Sequence, residues 1–334
     1  MTPLRMAVIG AGHLGKIHVR LLRSLPQAEL VGIVDPNTAA LQSVTDEFGV
    51  TGYSHYRDLV GRIDAAIVAT PTVLHHRVAL DLLGQGVHTF IEKPLTHSVH
   101  LADALVRTAD KQNVVLQVGH VERFSPALRA AQPFLKNAHF FEATRTSGYT
   151  GRSTDIGVVL DLMIHDLDVV LTLVQQPIIE IEAIGSTIVG PHEDLAHARL
   201  RFANGCVANF HASRVSTQPQ RVLQAYTKEH VSVIDFSGLT ASVLPFGEAS
   251  STPVWSTEDP PGLVHSLPTS PIQIPWQDLP TESNNPILEE QRNFLDCVLT
   301  GKAPRVTGQQ ARDAVAICQQ ITGQIHAGRL RKVA

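Results

Sequence analysis

Three short strings in this chain of 334 residues bring together side chains that can hold an anion and move a proton. Gly10-Ala11-Gly12-His13-Leu14-Gly15 has the form G-x-G-x-x-G. In such a string the first glycine permits a tight turn, the second lets backbone approach a pyrophosphate, and the third lets a helix pack closely on a strand. Glu92-Lys93-Pro94 sets an ammonium group beside a proline. The ring fixes its own φ and restricts the lysine backbone, so the lysine is aimed more rigidly than in an ordinary loop. Asp161-Leu-Met-Ile-His165 spaces a carboxylate and an imidazole four residues apart, one turn on one face of a helix. A dinucleotide cradle, a cation and an acid-base pair suffice to oxidise a secondary alcohol, whose hydroxyl proton must reach a base as hydride leaves carbon. His165 is the best base candidate, because an imidazole titrates near neutral pH. Lys93 would then hydrogen-bond the reacting oxygen and stabilise its developing charge, with Asp161 orienting the pair or contacting substrate. Either Lys93 or His165 could take the proton, since burial would lower the lysine pKa.

The elements that must carry these strings alternate. Arg5 to Ile9, Leu30 to Val34, Ala65 to Ala69, Val87 to Ile91 and Val114 to Val118 are short β-favouring runs. Between them, Leu14 to Leu25, Thr38 to Phe48, Val78 to Leu83 and Ser98 to Asn113 have helical spacing and are broken by glycine or proline. Strands separated by such helices give a parallel sheet covered on both faces. Residues 1–120 are therefore expected to form a doubly wound Rossmann domain. Beyond Gly119 come a helical stretch from Pro126 to Leu135, a strand from His139 to Thr146, the helix Val158 to Val174, and five β-rich runs between Ile178 and Phe236. These predict an α+β domain over 121–334 with a large, open, mostly antiparallel sheet. The segment from Pro253 to Pro286 holds eight prolines and both tryptophans, and is expected to be an ordered excursion covering a partner surface. Two closing helices follow, the second at about 308–326 and expected to pack back near the first domain.

Context strengthens the glycine string. Asp35 ends the second strand, twenty residues past Gly15, where a carboxylate binds both adenosine ribose hydroxyls and repels a 2'-phosphate. No arginine follows it, which favours NAD over NADP. Thr70 and Pro71 end the third strand at the edge where open α/β sheets bind ligands, and His75 is close enough to face the same crevice. The expected cofactor contacts are Gly10, Gly12, His13, Leu14, Gly15, Asp35, Thr70, Pro71, His75, Glu92 and Lys93.

Composition excludes several classes. Lys plus Arg total 27 against 31 Asp plus Glu, a formal charge of -4 that leaves no basic excess for a phosphate backbone. Nucleic acid is not an expected partner. The longest apolar runs fall far short of the roughly 20 residues of a membrane span, and MTPLRMAVIGAG runs straight into a strand without a signal-peptide core. A cytoplasmic enzyme is expected. Three widely spaced cysteines, Cys206, Cys297 and Cys318, make no C-x-x-C pair, so reduced, packed thiols are expected. The 17 histidines include no H-E-x-x-H string, and no catalytic metal is expected.

These residues resemble the Gfo/Idh/MocA oxidoreductases. The likeness rests on G-x-G-x-x-G with His18 after it, the Thr70-Pro71 strand end, Glu92-Lys93-Pro94 and Asp161-x-x-x-His165. It implies a catalytic group of Lys93, Asp161 and His165, and a carboxy-terminal open sheet that makes homodimer or homotetramer contacts. Gly119-His-Val-Glu-Arg-Phe-Ser-Pro126 and Thr150-Gly-Arg-Ser-Thr-Asp155 look like one branch of that family. Its members oxidise the 3-hydroxyl of UDP-N-acetylglucosamine upstream of an aminotransferase in lipid A biosynthesis. A UDP-sugar would need cationic or polar partners, for which Arg123, Tyr149, Arg152 and Ser153 are the candidates beside Lys93, Asp161 and His165. Met163 stands where the family often has glycine, a departure that would narrow the pocket. Two alternatives remain open: a dehydrogenase of a free polyol such as an inositol, and a non-catalytic dinucleotide-binding regulator.

Overall fold

The structure, a computed structural model, describes residues 2–151, 154–246 and 276–330. Arg152, Ser153 and Trp255 lie outside the described residues. The first half alternates β1 (Leu4–Ile9), α1 (His13–Leu22), β2 (Ala28–Val34), α2 (Thr38–Phe48), β3 (Gly52–Tyr53), β4 (Ala65–Val68), α3 (Thr72–Gly84), β5 (His88–Glu92), α4 (Val99–Gln112) and β6 (Leu116–Gly119). Its six strands are all parallel, in the order β3-β2-β1-β4-β5-β6. Every residue of β4 is buried, as expected of a strand covered on both faces. The order reverses between β1 and β4, so the ends of those two strands open the crevice in which such sheets hold ligands.

The second half adds α5 (Pro126–Ala131), β7 (Phe140–Thr146), α6 (Ile164–Val174), β8 (Ile178–Ser186), β9 (Leu195–Phe202), β10 (Val207–Ser213), β11 (Gln220–Tyr226), β12 (His230–Asp235), β13 (Thr240–Pro245), β14 (Gln277–Leu279), α7 (Pro286–Thr300) and α8 (Gly308–Leu330). The eight strands run β14-β13-β12-β11-β7-β10-β9-β8, antiparallel except for the parallel pair β7 and β10. Strict alternation in β9, where Ala196, Ala198, Leu200 and Phe202 are buried and His197, Arg199 and Arg201 exposed, turns one face to the core. Helices cover that face, and the other is polar.

Three local expectations are corrected. The stretch 126–135 is not one helix: α5 stops at Ala131 and a 3-10 turn carries Gln132–Phe134, because Pro133 has no N–H for a continuing helix. Gln277–Leu279, inside the proline-rich segment, pairs as an edge strand with β13 rather than lying outside regular structure. The expected helix Val158 to Val174 begins instead with a π turn, Val159–Met163, before α6.

Helix α8 lies across both halves. Arg312 reaches Asp103 of α4 at 2.8 Å and Gln324 donates to the Ile181 carbonyl of β8 at 2.6 Å. Ala311, Ala314, Val315, Cys318, Ile321 and Ile325 along it are fully buried or nearly so. Gln117 of β6 also bridges to Thr307 just before the helix.

Candidate active site

The glycine turn is shaped by what surrounds it. Gly10 has φ +111° and a Cβ there would lie 2.5 Å from the Ala69 carbonyl oxygen, while a Cβ on Gly15 would lie 1.9 Å from that of Gly10. Both positions exclude any side chain. Gly12 faces open space, with nothing within 4 Å of its would-be Cβ. It also caps α1 without a side-chain hydrogen bond, and the first turn carries no acidic residue, so free N–H groups and the helix dipole face a cradle suited to a pyrophosphate. Beside it, Asp35 accepts from the Ala11 N–H at 2.8 Å and the Asn37 N–H at 2.8 Å. The carboxylate is thereby fixed at the end of β2, at the distance from the glycine turn that an adenosine ribose would occupy. His13 and Leu14 are exposed at the same edge. These residues fit a bound NAD.

Lys93 and Asp161, 68 residues apart in sequence, meet where the two halves join. The ammonium of Lys93 donates to the Asp161 main-chain oxygen at 2.7 Å and to Oδ1 at 3.0 Å; the following Lys93–Pro94 bond is cis. The π turn carrying Asp161 has the looser winding that recurs at functional sites. Its first residues are held by Glu193, which accepts from Val158 through its main chain at 3.0 Å and from Val159 through its carboxylate at 3.4 Å. His165 follows in α6 with its side chain 12% exposed. Burial pushes its pKa well below the ordinary 6.5, and the nearby charges of Lys93, Arg145 and other cationic neighbours push the same way. The imidazole is therefore neutral at neutral pH, as a proton acceptor must be. Lys93 and Asp161 are in direct contact, and His165 lies near enough to Lys93 to feel its charge.

Two buried clusters support this group. Behind His165, Arg145 of β7 forms a bidentate pair with Asp166 at 2.9 and 2.9 Å and donates to Glu122 at 2.7 Å. Behind Lys93, the Gln291 amide donates to His18 Nδ1 at 2.7 Å, which leaves His18 Nε2 to donate to Glu92 at 2.7 Å. Glu290 completes the second cluster: its ligand atom and those of His18 and Glu92 lie within 4.8 Å of one another. Burial and the charge of Glu92 raise the Glu290 pKa well above its ordinary value, whereas the partnership with His18 lowers that of Glu92. The two carboxyls are thus pushed in opposite directions, Glu92 toward its ionised form and Glu290 toward its protonated one. Arg145, Glu193 and Glu290 were missed in the sequence, where nothing in their neighbours marks them out.

Other expected residues fall differently. His75 does not present a free nitrogen to the crevice. It is buried, with Nδ1 2.9 Å from the Pro94 carbonyl and Nε2 2.8 Å from that of Thr70, and so ties together the two turns that end β4 and β5. Glu92 is likewise buried against His18 rather than open to a cofactor. Arg123 points away from the crevice mouth: its guanidinium is buried on Asp168, Thr172 and the Arg305 carbonyl, an anchor of α6 rather than a free phosphate partner. Thr70 keeps a buried, unpartnered hydroxyl at the strand end. Tyr149 is 45% exposed.

A parallel sheet with a glycine cradle at its switch point and a lysine at the end of one of its strands, that lysine meeting Asp161 on the turn that leads into the helix of His165, defines a dinucleotide-dependent oxidoreductase. The chain belongs to the Gfo/Idh/MocA family: residues 4–120 match its NAD-binding Rossmann model and 129–231 its GFO/IDH/MocA C-terminal domain model. UDP-N-acetylglucosamine 3-dehydrogenase of Acidithiobacillus ferrooxidans is 35% identical over 248 residues, 73% of this chain and 77% of that one. A solved structure of that enzyme, GnnA, superposes with a TM-score of 0.84 at 28% identity, covering 98% of this chain and 99% of the other. The scyllo-inositol 2-dehydrogenase (NAD(+)) of Bacillus subtilis is 25% identical over 91% of this chain and 89% of its own. The fold is shared further with the WlbA dehydrogenase of Bordetella pertussis, solved with NADH and UDP-GlcNAcA, at a TM-score of 0.77 and 18% identity over 98% and 97% of the two chains. The protein is an NAD-dependent oxidoreductase acting on a CH-OH group. Among the described residues no helix is long and apolar enough to cross a membrane.

Proposed function

We propose that the protein oxidises the 3-hydroxyl of UDP-N-acetylglucosamine to a 3-keto sugar nucleotide, in the cytoplasm and upstream of an aminotransferase in lipid A biosynthesis. The observation that carries the reading is the bonding of Lys93, at the end of β5, to Asp161, with a neutral His165 within reach of the Lys93 charge, in a chain 35% identical to an enzyme of that activity. Bound NAD supplies the hydride acceptor. His165 takes the hydroxyl proton, and its neutral imidazole is ready to do so. Lys93, held as a donor by Asp161, turns part of its hydrogen bonding to the oxygen and stabilises the charge that develops there. Residues 1–120 serve the cofactor in this reading and 121–334 the substrate, with Tyr149, Arg152 and Ser153 nearest in sequence to the sugar nucleotide segment. The exposed polar face of the eight-stranded sheet joins copies of the chain as a homodimer or homotetramer.

The test is absorbance at the NADH band after mixing protein and NAD with UDP-N-acetylglucosamine, UDP-glucose, N-acetylglucosamine or myo-inositol, with aminotransferase present to remove ketone. A signal with UDP-N-acetylglucosamine alone is expected. A signal from myo-inositol alone would overturn the substrate and keep the chemistry.

A further inference from the structure

His165 has one nitrogen that the reaction does not use, and its surroundings are specific. Nδ1 is buried and has no hydrogen-bond partner, so the 12% exposure of the side chain belongs to the rest of the ring. Lys93, His120, Arg145 and Arg221 all press the ring toward its neutral form. The carboxylate facing Nδ1 is Glu122, whose Oε1 lies 4.0 Å away. That oxygen is fixed from its other side by Arg145 Nη1 at 2.7 Å.

Arg145 does not need Glu122 for neutralisation. Asp166 already pairs with its guanidinium through both oxygens, at 2.9 and 2.9 Å. A second buried carboxylate costs desolvation, and burial raises the Glu122 pKa against the opposing pull of Arg145 and Arg221. Glu122 is therefore held at a cost beside Arg145, with the same oxygen turned to an unpartnered imidazole nitrogen.

We infer that Glu122 is the positioning carboxylate of His165: it accepts the Nδ1 proton, which fixes the tautomer with the lone pair on Nε2, and it steadies the imidazolium formed when substrate is oxidised. The inference rests on the base role proposed for His165. In the step, the hydroxyl O–H breaks and an Nε2–H bond forms; the freed oxygen pair becomes the carbonyl π bond as the C–H hydrogen leaves as hydride to NAD. The positive ring then shortens its contact with Glu122 from 4.0 Å into hydrogen-bond range, as catalytic contacts do when substrate binds. Glu122 lies in the 3-10 turn Val121–Phe124, and Phe124 at its end is buried, so this short turn is anchored in the core.

The experiment uses Glu122→Gln, whose amide oxygen still accepts from Arg145. Expected are a kcat lower by on the order of a hundredfold with KM little changed, an acid limb of the kcat profile moved to lower pH, and an unchanged melting temperature. A variant with the wild-type kcat and pH profile would overturn the inference. Nitrogen NMR of histidine-labelled wild-type protein gives an independent readout that needs neither folding of the variant nor a known substrate. A proton on Nδ1 of His165 supports the inference, and a neutral ring with its proton on Nε2 refutes it. Full turnover by His165→Asn would instead refute the base role, so the two failures are distinguishable.

Discussion

Lys93 Nζ sits 2.7 Å from the main-chain oxygen of Asp161 and 3.0 Å from its Oδ1, joining the end of a parallel strand to the first turn of a helix in the other half of the chain. One ammonium group thus spans the junction between the cofactor sheet and the substrate-facing helix. Its second contact is to a main-chain atom, so replacing Asp161 would leave half of this anchorage in place.

Replacing Lys93 by methionine keeps the length of the side chain and removes the donor. Turnover is expected to fall by about a hundred- to a thousandfold, as when one donor to a developing oxyanion is deleted. NADH affinity, followed by fluorescence titration, should stay within a few-fold of wild type. Normal turnover by Lys93→Met would remove the lysine from the mechanism.

Asp35 is held by two main-chain N–H groups at 2.8 Å each, so its negative charge is fixed where a 2'-phosphate would sit. Asp35→Ser should lose about 1.5–3 kcal/mol of NAD binding, the worth of a hydrogen bond to a charged group, and gain relative activity with NADP. The ratio of kcat/KM for the two cofactors measures it. A ratio unmoved by the substitution would count against the ribose contact.

Gly15 has no room for a methyl group, since its Cβ would lie 1.9 Å from the Gly10 carbonyl oxygen. Gly15→Ala should destabilise the fold by about 1–3 kcal/mol through overpacking and weaken NAD binding with it. Denaturant unfolding and cofactor titration check the two effects separately. Gly12→Ala meets nothing in the protein, so it should spare stability and weaken the cofactor alone.

The proton held by Glu290 has a thermodynamic signature. Its folded pKa lies well above the ordinary 4.5, so above that pH the unfolded chain has released a proton that the folded protein still binds. Stability contributed by this site therefore falls as pH rises. Glu290→Gln imitates the protonated acid and removes the penalty. The melting temperature of the variant should exceed that of wild type by a margin that widens as pH rises above the ordinary 4.5. A margin that does not change with pH would mean that Glu290 is ionised in the fold.

What was readable in the sequence was whatever has a local period or a fixed spacing. The strand and helix rhythm before Gly119 and the glycine turn are set by residues within a turn or a strand of one another, and they appear where expected. Contacts between distant residues left no such trace. Arg145 lies 23 residues from Glu122 and 21 from Asp166, and His18 lies 273 from Gln291, distances over which no periodicity reports. The π turn was hidden for a different reason: a single wide turn is too short to show a period of its own in the apolar pattern. His75 and Arg123 were assigned to ligands because an exposed cation near a crevice and a buried one look alike in sequence.

The placement of α8 has a consequence during synthesis. The first sheet is complete at Gly119, but the helix that covers α4 and β6 begins about 190 residues later, at Gly308. At the ribosome's pace of ~5–20 residues per second that is a wait of roughly 10 to 40 seconds. Val106 and Leu116, against which Gly308 packs in the finished protein, lack that cover for the interval. The nascent Rossmann half is thus a natural client for chaperones, and truncation anywhere before the last helix would leave that sticky surface permanently uncovered.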